Sequence, residues 1–541
     1  MDDFNKTLLG LYCNDPKFLL ELQEVQKYYE FYNGRPTILE DNLQDNRGQL
    51  WPVKDRDYKP TREIRNITKK LIKKQGRFMT SMPPTLVVTS KNGDTSRDKL
   101  DVKRALLSKI LTDEKFWNKF SKAFLDCTIG KRVLLVMGLD LDETGKPIDE
   151  EHPIKFRFYT MPEFTYEYDP NDCDRLIKVQ IAYQDKSTVG SLPAEQRWHK
   201  WTYEMEDDGY CHITYEIVDG LNQVTFIMAD PDGDPNDPTN KAELKDSWNS
   251  GLTQLPCRVI LNDGLTGDIR GNSDVKDLMD MAMDYNRTMS DYRDALKFKM
   301  FEQPVFTDAD SDSIRKIKIA PNSLIDLKSD PTLGDGTGTS STAKFGVLSS
   351  TFNFQQATDS YLKSLRNDMF EIMEQPLPES ILNVPSGKAL KMVYYDLITR
   401  CEEKWAAWDE AILWLLNLIE ECIINNNLYS QEPEIDTMNI DTIITLRHNY
   451  PIPDDELESK DIAIKEVQAN VRSHRSYIEQ FGYSEDAEAE FNSTLDEIQQ
   501  LQEVNNSMLG LDTVLDSNPD DENNVPDDKD IENKDKNNKE K

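Results

Sequence analysis

Apolar residues along the chain keep two periods, and each marks its own segments. Within residues 61–79 (TREIRNITKKLIKKQGRFM), Ile64, Ile67, Leu71 and Phe78 fall on one side of a predicted helix, with Lys69, Lys70, Lys73 and Lys74 mostly elsewhere. A second helix is expected to end near Cys127, and residues 131–138 (KRVLLVMG) are apolar enough for a buried strand. Alternating runs at 155–168, 176–183, 198–203 and 212–218 predict an antiparallel sheet region closing near Ile260, with turn-rich segments such as 230–237 (DPDGDPND) between strands.

Helical spacing returns at 273–300, capped by Ser273 with Asp274 and Asp277 in the first turn. Val275, Leu278, Ala282, Tyr285, Met289, Tyr292 and Leu296 alternate spacings of three and four, a heptad seam narrow enough to be expected against a neighbouring subunit. Residues 301–350 read as a small β-rich insertion, with strands at 314–319, 324–327 and 345–348 and a Gly, Ser and Thr loop at 334–342. A helix at 354–374 places Ala357, Tyr361, Leu365, Met369 and Ile372 on one face, until Pro376 and Pro378 stop it. After the partly apolar loop 376–385 (PLPESILNVP), Ser386 and Gly387 open the longest helical stretch, to about Asn427, whose Trp405, Trp408 and Trp414 read as core packing. A strand at 442–447 and polar helices at 454–502, linked at Gly482, complete the folded part. No internal repeat occurs, and the fold class is α+β.

Composition narrows the function. The 541 residues suffice for about three or four domains, and a net charge of −35 excludes nucleic-acid binding by neutralising phosphates over the whole surface. The lysine cluster at 69–74 is the densest basic patch; without interleaved aromatics it reads as a face meeting an acidic neighbour rather than nucleic acid. The tail 516–541, with ten acidic and five basic residues and only Val525 and Ile531 as large apolar ones, is expected to be disordered. Seven dispersed cysteines without a C-x-x-C read as reduced thiols. The start, MDDFNKTLLGLYC, is acidic where a signal peptide would be basic, and the apolar run 414–424 holds Asn417, Glu420 and Glu421 and is too short to span a bilayer. A soluble, intracellularly made protein is therefore expected, with no membrane partner.

The sequence offers no catalytic pattern. The fragments TIGKR at 128–132 and TGKP at 144–147 lack the remaining residues of a phosphate-binding loop, and there is no G-x-S-x-G, H-E-x-x-H or G-x-G-x-x-G. His152, His199, His212, His448 and His474 are scattered, as surface or packing histidines are. Asp140, Asp142, Thr144, Gly145 and Glu151 match a calcium loop by count, but Pro147 and the preceding strand favour a hairpin turn. Asp230, Asp232, Asp234 and Asp237 are interleaved with prolines and read as an exposed loop. Neither an enzymatic activity nor a metal or cofactor is expected.

The order of the segments resembles the portal, or head-to-tail connector, proteins of tailed bacteriophages over residues 28–501. The resemblance rests on YYEFYNGRP at 28–36, Asn66, Gly76 and residues 82–84, TIGKRVLLV at 128–136, and Asn262, Gly271, Ser273, Asp274, Tyr285, Asn286, Ser290 and Asp291. Ser386, Gly387, Lys388, Ala389 and Leu390, then Pro453, Asp454 and Glu456, continue it in the same order. The resemblance implies a wing at 1–272, stem helices at 273–300 and 351–375, a clip at 301–350, a tunnel loop at 376–385, a long helix and strand at 386–452, a crown at 453–510 and an acidic tail at 511–541. It further implies a homo-oligomeric ring of twelve subunits at one capsid vertex, assembled in the host cytoplasm and carried in the virion. The implied partners are double-stranded DNA in transit, the terminase motor, major capsid and scaffold proteins, and head-completion, adaptor and tail proteins. Glu379, Ser380, Ile381, Leu382, Asn383 and Val384 would line the channel. Lys388 and Lys391 would either touch phosphates weakly or pair with acidic groups of adjacent subunits. Val275, Leu278, Tyr285, Met289, Tyr292 and Leu296 would form the subunit contact. Another phage head protein, a scaffold or minor capsid protein, is the alternative; a metal nuclease using Asp140 and Glu151 is a more distant one.

Overall fold

A computed structural model describes residues 16–34, 61–91, 96–139, 152–228, 241–316, 328–329, 342–348, 353–382, 387–452, 456–481 and 487–508, less short stretches inside these ranges. The chain divides into two compact units, Met1–Ile452 and Pro453–Lys541.

The first unit opens with α1 (Pro16–Asn33) and α2 (Ile67–Thr80). Helix α2 starts at Ile67 rather than Thr61 because the Asn66 side chain accepts the Lys69 amide at 2.9 Å, a cap that leaves the residues before it outside the helix. Strand β1 (Thr85–Ser90) and helices α3 (Arg97–Asp113) and α4 (Phe116–Gly130) follow. Lys115, left-handed at φ 53°, separates α3 from α4. Strands β2 (Arg132–Leu139) and β3 (Ile154–Thr160) pair antiparallel with Leu139 opposite Ile154, so the calcium-like segment joins neighbouring strands.

The continuous run expected at 155–168 is broken at Met161–Glu163, where Thr160 and Glu163 form a capping box around Pro162. Strand β4 (Phe164–Asp169) thereby leaves for another sheet, with β5 (Asp172–Gln184), β6 (Trp198–Met205) and β7 (Cys211–Val218). Short β8 (Phe226–Met228) and β9 (Lys241–Glu243) pair with each other, while β10 (Lys245–Asn249) extends the larger sheet to the order β10-β7-β6-β5-β4. Strand β11 (Cys257–Leu261) completes a three-stranded sheet β11-β2-β3. Two sheets thus stand where one was expected, packed through Leu134, Val136, Phe164, Val179, Ile181 and Tyr203.

Helix α5 (Asp274–Met300) is followed by a hairpin of β12 (Gln303–Thr307) and β13 (Lys344–Leu348), with α6 (Ser311–Lys316) between them. The strand expected from 314 thus begins as a helix, in keeping with its polar start, Ser-Asp-Ser. Helix α7 (Gln355–Ile372) buries Leu362, Leu365, Met369 and Phe370, a face rotated from the expected one: Tyr361 is exposed and its hydroxyl donates to Asp284 at 2.8 Å. One-turn α8 (Pro378–Ile381) precedes α9 (Gly387–Val393) and α10 (Tyr395–Asn426), which meet at a break at Tyr394, so the expected single helix is two. Strand β14 (Thr442–Arg447) pairs antiparallel with β1, Thr85 opposite Arg447.

Two helical cores hold this unit. In the first, Trp405 and Trp408 of α10 are buried against Phe120 at 5.4 and 4.8 Å between ring centroids, and Trp414 packs at its margin. The second joins α1, α2, α5 and α7, and contains Val275, Leu278, Ala282 and Tyr285. This corrects the reading of the seam as a stripe too narrow for a core: its first half is covered by the chain's own helices, Met289 packs beside them, and only Tyr292, half-buried, and Leu296, 39% exposed, face outward.

The second unit contains α11 (Glu456–Gln468), α12 (His474–Phe481) and α13 (Ala487–Met508). Cys127, Cys211, Cys257, Cys401 and Cys422 are buried free thiols, and burial pushes Cys127 up to about 12. Among the described residues no helix is long and apolar enough to cross a membrane. The strand expected at 324–327, most of the 334–342 loop, the turns at 140–151 and 230–237, Gly482 and the acidic tail lie outside the described residues.

Candidate functional site

The start of α5 is the junction of the first unit. Ser273 accepts the Val275 amide at 3.2 Å and donates to the Ile129 carbonyl at 2.7 Å, capping α5 while tying it to the end of α4. Asp274, 1% exposed, receives Lys404 at 2.9 Å, Asn262 at 2.8 Å, Gln75 at 3.3 Å and, from α10, Arg400 at 3.4 Å. Burial alone would raise its carboxyl, but Lys404, Arg400 and the Asn262 hydrogen bond hold it below the usual range. Gly271 makes the approach possible: at φ 70°, a Cβ there would come within 2.5 Å of the Lys131 carbonyl oxygen and 2.8 Å of that of Asn262. On the other side of the junction Arg132 grips Glu21 of α1 with two bonds of 2.6 and 3.0 Å, and Lys131 reaches Glu24 at 2.6 Å.

Further along α5, a strap formed by Thr61 and residues 63–65 lies on the helix. The amides of Arg65, Glu63 and Thr61 donate to Asn286 at 2.8 Å, Ser290 at 3.0 Å and Asp294 at 2.9 Å. The registers match because two extended residues and four helical ones each advance about 6 to 7 Å. All three acceptors are buried, so the strap satisfies a polar stripe that α5 could not otherwise bury.

The loop after α7 is anchored at its base and open beyond. Gln375, 4% exposed, donates to the Leu71 carbonyl at 2.7 Å, Leu377 packs on the second core, and Lys74 donates to the Pro376 carbonyl at 3.5 Å with its ammonium over the rings of Phe370 and Tyr394. Pro378 then starts α8, where a missing amide hydrogen costs nothing. The expected channel residues Glu379 and Ser380 are exposed, Ile381 is half-buried, and Leu382 is 81% exposed. Lys391 is exposed on α9; Asn383, Val384 and the side chain of Lys388 lie outside the described residues.

One cluster has no counterpart in the sequence reading. The His448 ring stacks on Trp405 at 4.5 Å, with Nδ1 2.8 Å from Glu402 and Nε2 3.0 Å from Asp409. Tyr450 donates to Glu402 at 2.7 Å. Burial would lower the imidazole, but its bonds to Asp409 and Glu402 outweigh it and raise the pKa above the usual value. Only an imidazolium donates from both nitrogens. The five residues are dispersed over 402–450, and no local pattern announces them. By contrast, Asn286, Ser290 and Asp294, four residues apart on a helix that also carries an apolar seam, form a legible polar stripe; the sequence reading named Asn286 and Ser290 only as part of the resemblance.

Among the described residues no group of His, Cys, Asp and Glu is arranged to hold a metal ion. What the site offers is architecture: a buried ionic junction, a strapped long helix and a loop that exposes Leu382. A family model described as "Phage portal protein, SPP1 Gp6-like" matches residues 15–504, and the chain belongs to that family. The family is structural, and membership makes the chain a component of the phage virion, built into a capsid-associated oligomer. No curated protein matches the chain.

Proposed function

We propose that the chain forms a ring of twelve subunits at one capsid vertex, a conduit through which double-stranded DNA enters during packaging and leaves at ejection. The ring would serve as docking platform for the terminase motor and later as the joining site for adaptor and tail proteins. The family match across nearly all of the described chain carries this reading. In it, residues 1–272 form the wing, α5 and α7 the stem, the β12–β13 hairpin region the clip, and residues 453–510 the crown. Subunit contact along the stem falls to its outward end, Tyr292 and Leu296, since Val275, Leu278 and Tyr285 are covered within the chain.

The loop 376–385 is the proposed tunnel loop. It sits between α7 and α9 on a fixed base, and Leu382 stands almost fully in solvent. An apolar tip offers phosphates no hydrogen bond, which suits a passage where DNA slides. A net charge of −35 on each subunit agrees, because a predominantly acidic bore repels phosphates within about 10 Å at 0.1 M salt. Lys388 and Lys391 remain open between weak phosphate contact and pairing with a neighbouring subunit. Phage carrying Ile381→Gly together with Leu382→Gly should assemble rings and procapsids but package or retain a different length of DNA. Failure of that variant to form rings would place the loop in the subunit interface instead.

A further inference from the structure

Helix α2 carries the chain's densest positive charge on the side away from its core. Gln75 points inward and donates to Asp274 at 3.3 Å, whereas Lys73 and Arg77, two positions to either side, stand about 200° around the helix from it. With Lys70 they make a basic face on which Lys70 and Arg77 are exposed and Lys73 half-buried. Lys69 and Lys74 are occupied by the rings of Tyr32, Phe370 and Tyr394. No carboxylate among the described residues pairs with Lys70, Lys73 or Arg77. The acidic neighbour expected for this face from the sequence is not found within the described chain.

Carboxylates in surplus gather around Arg400, which pairs with Asp274 at 3.4 Å. Arg400, already committed to Asp274, is in reach of Asp277 and Glu374, and Glu374 in turn is in reach of Asp396 and Glu403. All four acids are exposed, and none forms an ion pair among the described residues. Their crowding is felt: burial first, then the repulsion of Glu403 and Asp396, raises Glu374, and burial with Asp274 and Asp263 raises Asp277. Each face therefore lacks what the other holds. Two unlike faces of one chain can join copies only head to tail, the contact that closes a ring when its rotation permits.

We propose that the Lys70, Lys73 and Arg77 face of one subunit docks on the Asp277, Glu374, Asp396 and Glu403 cluster of a second copy of this chain. The inference rests on the ring reading and names the surfaces that join its subunits. Duplex DNA, the other polyanion at hand, fits less well: the net charge of −35 repels phosphates, and complementary acids are present on the chain itself.

Charge reversal tests it in the full-length protein, read by light scattering, with circular dichroism as the check on folding. Lys73→Glu with Arg77→Glu should raise the concentration needed for assembly on the order of a hundredfold, since like charges placed across an interface are strongly unfavourable. Asp396→Lys with Glu403→Lys should do the same from the other side and serves if the first variant does not fold. Combining all four substitutions restores opposite charges across the contact and should restore the ring. Wild-type rings that assemble as well with either reversal overturn this inference alone, as does loss of binding to a short DNA duplex with assembly unchanged. A wild-type chain that stays monomeric overturns the ring reading with it.

Discussion

His448 holds its charge because both ring nitrogens meet carboxylates, and stability should follow. A raised folded pKa means that the contribution is fully present below the unfolded value near 6.5 and is lost as pH climbs through the folded one. Melting temperature should therefore fall as pH rises from about 6.5, and this step should disappear in His448→Gln. A variant with the wild-type pH profile would remove the clasp from the account. Asp274 behaves in the opposite sense: its depressed carboxyl contributes above the unfolded pKa and stops doing so only as pH drops through its folded one. Asp274→Ala should cost about 3 to 5 kcal/mol, because Lys404 and Arg400 would be left buried without their partner; denaturant unfolding measures it. At this scale the sequence was legible only where chemistry is local. Ser273 as a cap could be read from its neighbours in sequence, but the partners of Asp274 come from positions 75, 262, 400 and 404, and only folding brings them together.

Among the elements, the strap ahead of α2 shows how local propensity yields to tertiary context. Ile64 completes an apolar helical pattern in the sequence, yet Asn66 caps α2 two residues later and the preceding amides turn to α5 instead. Asn286→Ala should leave the Arg65 amide without its acceptor, cost about 1 to 3 kcal/mol and speed hydrogen exchange at Arg65, Glu63 and Thr61. Unchanged exchange at those amides would show that the strap is held by other contacts. Strands β2, β5, β6, β7 and β14 and helices α5 and α7 lie close to where hydrophobic spacing puts them. What spacing could not give was which sheet each strand joins or which neighbour covers a stripe. The α5 seam, whose width suggested a partner outside the chain, is half covered from within by α1, α2 and α7. The break at Tyr394 was hidden too, since no proline or glycine marks it.

For the whole molecule, order of segments carried more than any single motif. The family model spans 15–504, close to the 28–501 over which the likeness could be read, although each fragment alone is short and weakly specific. The acidic tail is expected to contribute nothing to this architecture, having almost no apolar surface to bury. Deleting residues 516–541 should leave the melting temperature and the oligomer unchanged, and a loss of several degrees would mean that the tail packs on the folded part. The central claim is that this acidic chain exists to form a ring around DNA. Negative-stain imaging of the purified full-length protein tests it most directly: the account predicts rings with a central hole, and a field of compact, well-folded monomers at micromolar concentration would contradict it.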